Sequence, residues 1–344
     1  MTGKEAVNNV GRVLDFAYIT LWVANAKTIT IIFESPVTNE GEIAKDLAAH
    51  GDFVKDVAFT VEDLDELVRR AKKEGAEIIK DITEESDDDG LFRYAVLKTY
   101  GDNTHTLVDR TKYKGVLLPG YKTSEDDPLN QLLPNTNLTF IDHVEGNMAD
   151  GTLEDTVNWY ERNLSMHRFW CVDYDHDLVP YSCINSASVI NQNENVLLSL
   201  NEAAKGLRPS SKATEFVKSL GASGVEHIAL YTDDIITTIK SLRARGAEIL
   251  SWPPTYYDLI GEKLKESRVN VAESVELLKE HDVHIDFDER GYMLQAFTKH
   301  VQARPTLFLE IIQRRNHRGF GAMNYKWVFE AIERLEASND KNDA

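Results

Sequence analysis

The sequence predicts an α+β fold in which β-α-β-β-β modules repeat and form two open barrel-like domains. The first observation is an internal repeat, because residues 51–78 match residues 222–249 at a constant offset of 171 (222 − 51). The second is the order shared by the two copies: an apolar β-branched strand, an acidic turn, an amphipathic helix and a Gly-Ala-Glu-Ile exit.

Two further units open with apolar strands, LDFAYITLWVANA (14–26) and LTFIDHVEGNM (138–148). Four units in 344 residues fit two domains of two modules each. The Pro-, Gly-, Asn- and Asp-rich stretch 115–137 has no steady period and is typical of a linker. We therefore expect an N-terminal domain over 1–114, a C-terminal catalytic domain over 138–334 and a polar tail over 335–344.

The first module is predicted to be short. His143 and His227 occupy matching positions of units three and four and are 84 residues apart (227 − 143). Their first-half counterparts, Tyr18 and Asp56, are only 38 apart (56 − 18), a difference of 46 (84 − 38). The missing residues fall near Ala26–Thr28, where a helix and at least one strand are expected.

The composition excludes several classes of partner. A net charge of −19 disfavours nucleic acid and anionic membranes, which require a basic surface. No apolar run approaches the roughly 20 residues that span a bilayer, and the N-terminus lacks the apolar segment of a signal peptide. Two cysteines give no disulfide framework. The expected location is the cytoplasm.

Three residues of metal-ligating type recur at nearly equal steps. His143, His227 and Glu310 lie in apolar strands, and the two intervals are 84 and 83 residues (227 − 143 and 310 − 227). A buried carboxylate is costly unless it is paired or bound to a metal. Two imidazoles and one carboxylate form the facial triad that binds Fe(II) and leaves positions open for substrate and oxygen.

Other candidate ligands are weaker. The first-half set of Tyr18, Asp56 and Thr106 is a poor copy of the triad, so we expect one metal per chain. His281 and His284 have ligand-like spacing. Their segment is charged, and we expect it to be exposed. His317, beside a Gly-rich turn, is also expected at the surface.

Long motifs carry a family resemblance. They are IDHVEGN, WYERNLSMHRFW, GVEHIALYTDDI, GYMLQAFTKHVQARPTLFLEIIQRRN and GFGAMNY. With them the chain resembles, over almost its whole length, the 4-hydroxyphenylpyruvate dioxygenase family of the vicinal-oxygen-chelate superfamily. The resemblance implies one Fe(II) per chain held by His143, His227 and Glu310. It implies conversion of 4-hydroxyphenylpyruvate, an aryl α-keto acid, and O2 to homogentisate and CO2 in tyrosine and phenylalanine catabolism, by a homodimer.

The resemblance also implies a set of substrate-binding residues and no catalytic group beyond the ligands. The set is Ser186, Asn201, Gln295, Phe297, Phe308, Phe320, Asn324 and Tyr325. The sequence departs from the family's usual residues at three positions. Glu226 and Lys212 stand where the family has glutamines, and Tyr325 stands where it has phenylalanine. Glu226 and Lys212 could pair with each other.

These departures and the short first module leave alternatives open. One is an enzyme like hydroxymandelate synthase, which oxidises the benzylic carbon of the same substrate. Another is an inactive binding paralogue. Pocket shape and metal content would separate the three.

Overall fold

The computed structural model describes residues 12–22, 31–122, 131–169, 178–207 and 209–342. Over these ranges the chain forms one mixed sheet in each half, with helices packed beside both. Each sheet curls into a half-barrel, so the predicted α+β class with repeated modules is confirmed.

The first half contains a six-stranded sheet with the order β2-β1-β3-β6-β5-β4. Its strands are β1 (Arg12–Trp22), β2 (Ile32–Glu34), β3 (Phe53–Glu62), β4 (Ile78–Asp87), β5 (Gly90–Lys98) and β6 (Thr104–Asp109). Its helices are α1 (Glu42–His50) and α2 (Leu64–Lys73).

The second half contains an eight-stranded sheet with the order β12-β13-β14-β11-β7-β10-β9-β8. Its strands are β7 (Ile141–Met148), β8 (His167–Phe169), β9 (Ile184–Ile190), β10 (Leu197–Ala203), β11 (Gly224–Tyr231), β12 (His284–Phe287), β13 (Tyr292–Phe297) and β14 (Phe308–Arg315). Its helices are α3 (Leu153–Leu164), α4 (Val179–Ser182), α5 (Lys212–Leu220), α6 (Ile235–Ala244), α7 (Pro254–Glu266), α8 (Val275–Glu280) and α9 (Ala322–Asn342).

The two sheets correspond in strand order, which shows the repeat in three dimensions. β2-β1-β3-β6-β5-β4 corresponds to β10-β7-β11-β14-β13-β12, and the parallel pairs β1–β2 and β3–β6 match β7–β10 and β11–β14. Among the described residues of the first half, α3, β8 and β9 have no counterpart. The predicted deletion near Ala26–Thr28 lies outside the described residues.

The acidic turn of the repeat caps a helix in both copies. The side chain of Asp63 accepts a hydrogen bond from the Glu66 backbone N–H, and Asp234 accepts one from Thr237. These bonds satisfy helix N–H groups that have no partner within the helix. The apolar face of α2, for example Leu67, is then buried against the first sheet.

Helix α9 runs to Asn342 and therefore continues past residue 334, where the sequence predicts that the catalytic domain ends. Trp327 and Ala331 of this helix are buried in the core of the second half. No helix in the described ranges is both long enough and apolar enough to cross a membrane.

The two halves share one core, and His105 on β6 lies where they meet. Its Nδ1 is 2.7 Å from the Val57 carbonyl oxygen, and its Nε2 is 2.8 Å from the hydroxyl of Tyr160 on α3. The carbonyl can only accept, so Nδ1 donates to it, and in the neutral ring Nε2 accepts from the tyrosine hydroxyl. Burial lowers the pKa of His105 from 6.5 to about 4.

This histidine predicts a loss of stability in mild acid. Between pH 6.5 and about 4 the unfolded chain binds a proton at His105 that the folded chain does not. The free energy of unfolding therefore decreases as the pH is lowered through this range. The difference between the two pKa values corresponds to a loss of unfolding free energy on the order of 3 kcal/mol. Urea unfolding of the wild type and of His105→Gln across this range should show the two stabilities converging as pH falls. A difference independent of pH would contradict the assignment.

Candidate metal centre

Three adjacent strands bring the predicted metal ligands together. In the pairing of β7, β11 and β14, both His143 and Glu310 lie opposite Ala229. His227 is two residues from Ala229 on the same strand, and alternate residues of a strand share a face. The near-equal sequence steps between the ligands therefore reflect neighbouring strands of one sheet.

The donor atoms of the three side chains converge. His143 Nε2 lies 3.2 Å from His227 Nε2 and 3.3 Å from Glu310 Oε2, and His227 Nε2 lies 3.1 Å from the same oxygen. Three mutually perpendicular metal–ligand bonds of about 2.1 Å would place neighbouring donor atoms about 3.0 Å apart. The two nitrogens and one oxygen thus fit the face of an octahedral ion, and the cluster could hold a metal.

The charges at this point favour a cation. Burial opposes ionisation of Glu310, but hydrogen bonds and charges of His143 and His227 bring its pKa down to about 2. Burial likewise opposes a charge on His143, yet Asp142 and Glu310 raise its pKa to about 9. The site therefore stabilises positive charge, which a divalent ion would supply.

His143 is oriented by a carboxylate and an arginine. Its Nδ1 lies 2.8 Å from Asp142 Oδ1, leaving Nε2 for the cluster. Arg314 donates to both carboxylate oxygens of Asp142, over 2.8 and 2.7 Å. Although burial opposes it, Arg314 holds the pKa of Asp142 well below its usual range. Such partners fix the tautomer and direction of a ligating imidazole.

Glu310 is oriented by a chain of amides. Gln295 on β13 donates to Glu310 Oε1 over 2.7 Å and accepts from Asn324 over 3.1 Å. Asn324, on α9, accepts in turn from the buried hydroxyl of Tyr256 over 2.8 Å. Gly321 has φ +87° and lies so close to Gln295 that a Cβ there would be 2.2 Å from the amide oxygen. The start of α9 therefore packs closely against Gln295, the side chain that orients Glu310.

His227 has a different environment. Its ring stacks on Phe308 with centroids 4.9 Å apart. Its Nδ1 lies 3.5 Å from Glu145 Oε1 but makes no hydrogen bond. The β7–β11 register shifts between Val225 and His227, so Glu226 is an extra, bulged residue beside the ligand. Bulges of this kind redirect side chains next to active sites.

A cavity of about 710 Å³ opens onto the cluster. Its wall includes His227, Glu310 and all eight predicted substrate-binding residues, namely Ser186, Asn201, Gln295, Phe297, Phe308, Phe320, Asn324 and Tyr325. Rings from Trp252, Phe297 and Phe308 form an aromatic side. The side formed by β7, β9 and β10 is polar: Glu145 lies opposite Ser199 in the strand register, and Ser186 donates to Asn201 over 2.6 Å.

Two expectations of exposure are wrong. His281 and His284 are 5% and 2% exposed, and His284 lines the cavity with its ring centroid 4.0 Å from Trp252. His284 lies on β12, and Asp286, two residues further along this strand and on the same face, is fully buried as well. His317 is 3% exposed, since its Nδ1 accepts from Gly319 in the turn before α9.

The other residues singled out in the sequence have different outcomes. Lys212 and Glu226 both line the cavity, but among the described side chains no ion pair joins them. Burial and the neighbouring Glu145 raise the pKa of Glu226 to about 7, and the charge of Lys212 partly offsets this rise. Asp56 accepts from Thr104 over 2.6 Å, and burial raises its pKa to about 7. The side chain of Tyr18 lies outside the described residues. Both three-residue ligand clusters found in the described ranges include His227.

Comparison with known proteins places this fold and site in a class. Residues 140–262 match the family model of the Glyoxalase/Bleomycin resistance protein/Dioxygenase superfamily. A solved triple mutant of 4-hydroxymandelate synthase from Streptomyces coelicolor is 27% identical, with a TM-score of 0.72 over 94% of this chain and 99% of that chain. A fusion protein of a xylose isomerase-like TIM barrel and 4-hydroxyphenylpyruvate dioxygenase, 17% identical, shares the fold over 95% of this chain and 53% of its own, with a TM-score of 0.67.

Curated relatives narrow the class further. The 4-hydroxyphenylpyruvate dioxygenase of Caenorhabditis briggsae is 48% identical over 89% of this chain and 78% of its own length. The 4-hydroxyphenylpyruvate dioxygenase of Xenopus tropicalis is 43% identical over 96% of this chain and 94% of its own length. The chain belongs to the 4-hydroxyphenylpyruvate dioxygenase family. The Xenopus alignment extends over 371 residues although this chain has 344, so the relative has residues without a counterpart here.

Proposed function

We propose that this protein is an Fe(II)-dependent dioxygenase that converts 4-hydroxyphenylpyruvate and O2 to homogentisate and CO2. The observation that carries the proposal is the arrangement of His143, His227 and Glu310, whose donor atoms lie 3.1–3.3 Å apart at the wall of a partly aromatic cavity. His143, His227 and Glu310 would hold the iron, which when bound would offer open coordination positions to the keto acid and to oxygen, chemistry that side chains alone do not supply.

The protein's own groups bind, orient and shield. Phe297 and Tyr325 would hold the aromatic ring, because both line the cavity and aromatic pairs prefer stacked or edge-to-face contact. Ser186 and Asn201 would offer hydrogen bonds to the far end of the ring. Gln295 and Asn324 would keep Glu310 in place through the chain that ends at Tyr256.

Water must be kept from the reacting centre, and the structure offers a cover for it. Phe320, Asn324 and Tyr325 lie at or near the start of α9 and line the cavity, while Trp327 on the next turn is buried in the core. Exclusion of water strengthens electrostatic interactions inside a site and suppresses side reactions. We assign this role to the first two turns of α9.

A second candidate has one observation in its favour. Similarity to the solved hydroxymandelate synthase extends over 94% of this chain, so benzylic oxidation of the same substrate is the alternative outcome. An inactive binding protein is the third, and the converging ligands argue against it.

Product analysis separates these candidates. Protein reconstituted with Fe(II) without oxygen is given 4-hydroxyphenylpyruvate and then O2, and oxygen uptake is followed while products are identified by chromatography and mass. Homogentisate supports the proposal. Hydroxymandelate replaces it with the second candidate, and no uptake by iron-loaded protein identifies an inactive relative.

We extend the proposal to a role in tyrosine and phenylalanine catabolism, a cytoplasmic location and a homodimer. The catabolic role and the homodimer rest on the family resemblance, and the cytoplasmic location rests on the charge and cysteine content. Light scattering on a sizing column tests the dimer, for which a mass near twice 38.9 kDa is expected.

A further inference from the structure

Helix α1 of the first half packs directly behind one wall of the cavity. That wall is α5, from which Phe216 and Ser219 line the cavity. On the side of α5 towards the first half, Phe216 and Leu220 form an apolar cluster with Phe53 of β3, and Leu47 of α1 packs against this cluster. The contact between α1 and α5 therefore links the first half of the chain to the cavity.

The last residue of α1, His50, joins three parts of the chain at this contact and is only 5% exposed. Its Nδ1 lies 2.9 Å from the carbonyl oxygen of Leu220 at the end of α5. Its Nε2 lies 2.9 Å from Asp102 Oδ2, in the turn between β5 and β6, and Lys98 donates to the other oxygen of this carboxylate over 2.8 Å. The last carbonyl groups of a helix have no partner within the helix, so His50 supplies one to α5.

Both partners of the His50 ring are acceptors, and this sets the charge of the ring. A backbone carbonyl cannot donate, and the hydrogen bond from Lys98 lowers the pKa of Asp102, so the ionised carboxylate also only accepts. Both ring nitrogens must therefore carry a proton, which makes His50 an imidazolium in this geometry. Another charged neighbour, Arg304, lies between β13 and β14 and donates to the Ala49 carbonyl over 2.9 Å, so it adds no acceptor.

We propose that His50 is a positioning residue, whose doubly protonated ring holds α5, and with it one wall of the cavity, against the first half of the chain. His50 is not one of the residues that line the cavity, so it acts through α5. The first half thereby shapes the cavity, although both ligand clusters found in the described ranges lie in the second half.

The charge of the ring makes this joint sensitive to pH. Histidine is the side chain whose charge ordinarily changes between about pH 5 and 8. A ring that has lost one proton turns a lone pair towards one of its two acceptors, so one hydrogen bond is lost as the pH rises. The joint is therefore intact at low pH, and α5 should open locally more often at high pH. A contact made only of apolar packing would not respond in this way.

Hydrogen exchange of α5 tests the joint without iron or substrate. Amide exchange over residues 212–221 of metal-free protein is followed by mass spectrometry at about pH 6 and about pH 8.5, with correction for the intrinsic rate at each pH. Wild-type protection should fall about tenfold between these values, the factor expected from one hydrogen bond to a charged group. His50→Gln should show low protection at both, because one end of its amide is itself an acceptor.

Asp102→Asn is the variant expected to keep the joint intact. The amide can donate to Nε2 of a neutral ring while Nδ1 still donates to the Leu220 carbonyl, so both hydrogen bonds persist at either pH. Protection of α5 should therefore stay high at both values. Asp81→Asn is the matched control, since Asp81 is an exposed carboxylate of the same half that pairs with Lys72 over 2.6 Å. This control should keep the wild-type response.

Binding of the keto acid tests whether the joint acts on the cavity, and this part rests on the proposed function. Iron-loaded protein is titrated with 4-hydroxyphenylpyruvate under strict exclusion of oxygen at the same two pH values. Between them the affinity of the wild type should fall at least about threefold more than that of Asp102→Asn, because only protein with the wall in place is competent to bind.

Equal protection of α5 at both pH values in the wild type would overturn the proposal and leave the proposed function intact. A loss of protection that survives in Asp102→Asn would also overturn it, because another group would then carry the response. Looser α5 with an unchanged affinity for the keto acid would overturn the positioning role. If no variant bound the keto acid, the proposed function would fail, while hydrogen exchange would still decide whether His50 holds α5.

Discussion

Glu310→Gln should abolish iron-dependent turnover while leaving the protein folded. The substitution keeps the shape of the side chain and removes the only anionic donor of the three converging groups. Loss of the metal removes several kcal/mol of transition-state stabilisation, so the rate should fall by at least about a thousandfold, or about 4 kcal/mol. The rate of 4-hydroxyphenylpyruvate consumption and the iron content after gel filtration give the two readouts.

Glu276→Gln serves as the control, because Glu276 is exposed on α8 and does not line the cavity. It should retain both turnover and iron. If Glu310→Gln kept a rate within a few-fold of the wild type, Glu310 would not be a ligand, and the convergence of the three side chains would have no catalytic meaning.

Arg314→Met should destabilise the protein strongly, although Arg314 is not expected to touch the substrate. The side chains of Arg314 and Asp142 are only 16% and 8% exposed and form a bidentate ion pair. Removing one partner of a buried pair leaves an uncompensated charge, which costs about 3–5 kcal/mol. Urea unfolding should record a loss of this size in the free energy of unfolding.

A double variant separates charge from packing. Asp142→Asn combined with Arg314→Met removes the carboxylate that has lost its arginine, so much of the lost stability should return. Iron affinity should stay low in both proteins, because His143 loses its anionic partner or that partner's support, and such losses typically lower metal affinity about 10–100-fold. Equal instability of the single and double variants would show that Arg314 acts through packing instead of charge.

The fold and the three converging residues are predictable from the sequence because both follow from short-range patterns. The opening strands of successive modules carry matching residues, so the modular repeat by itself relates His143 on β7 to His227 on β11. The family motifs then point to cavity residues such as Gln295 and Phe297, which do lie on one wall.

The support of the site is not predictable in the same way. Asp142 and Arg314 are 172 residues apart, and nothing in either segment indicates that β7 and β14 place them in contact. The bulge that turns Glu226 into the cavity depends on the β7–β11 register, which the sequence of β11 alone does not determine. The exposure expected of His284 is wrong because its charged neighbours suggest a surface segment, whereas β12 pairs with β13 and both His284 and Asp286 are buried.

The central claim is that one cluster, His143, His227 and Glu310, carries the reaction. Titration of metal-free protein with Fe(II), with the initial rate of homogentisate formation measured at each addition, tests it most directly. The rate should be absent without iron, rise linearly and stop rising at one iron per chain. Turnover by metal-free protein, or a rate that continues to rise to two irons per chain, would contradict the claim.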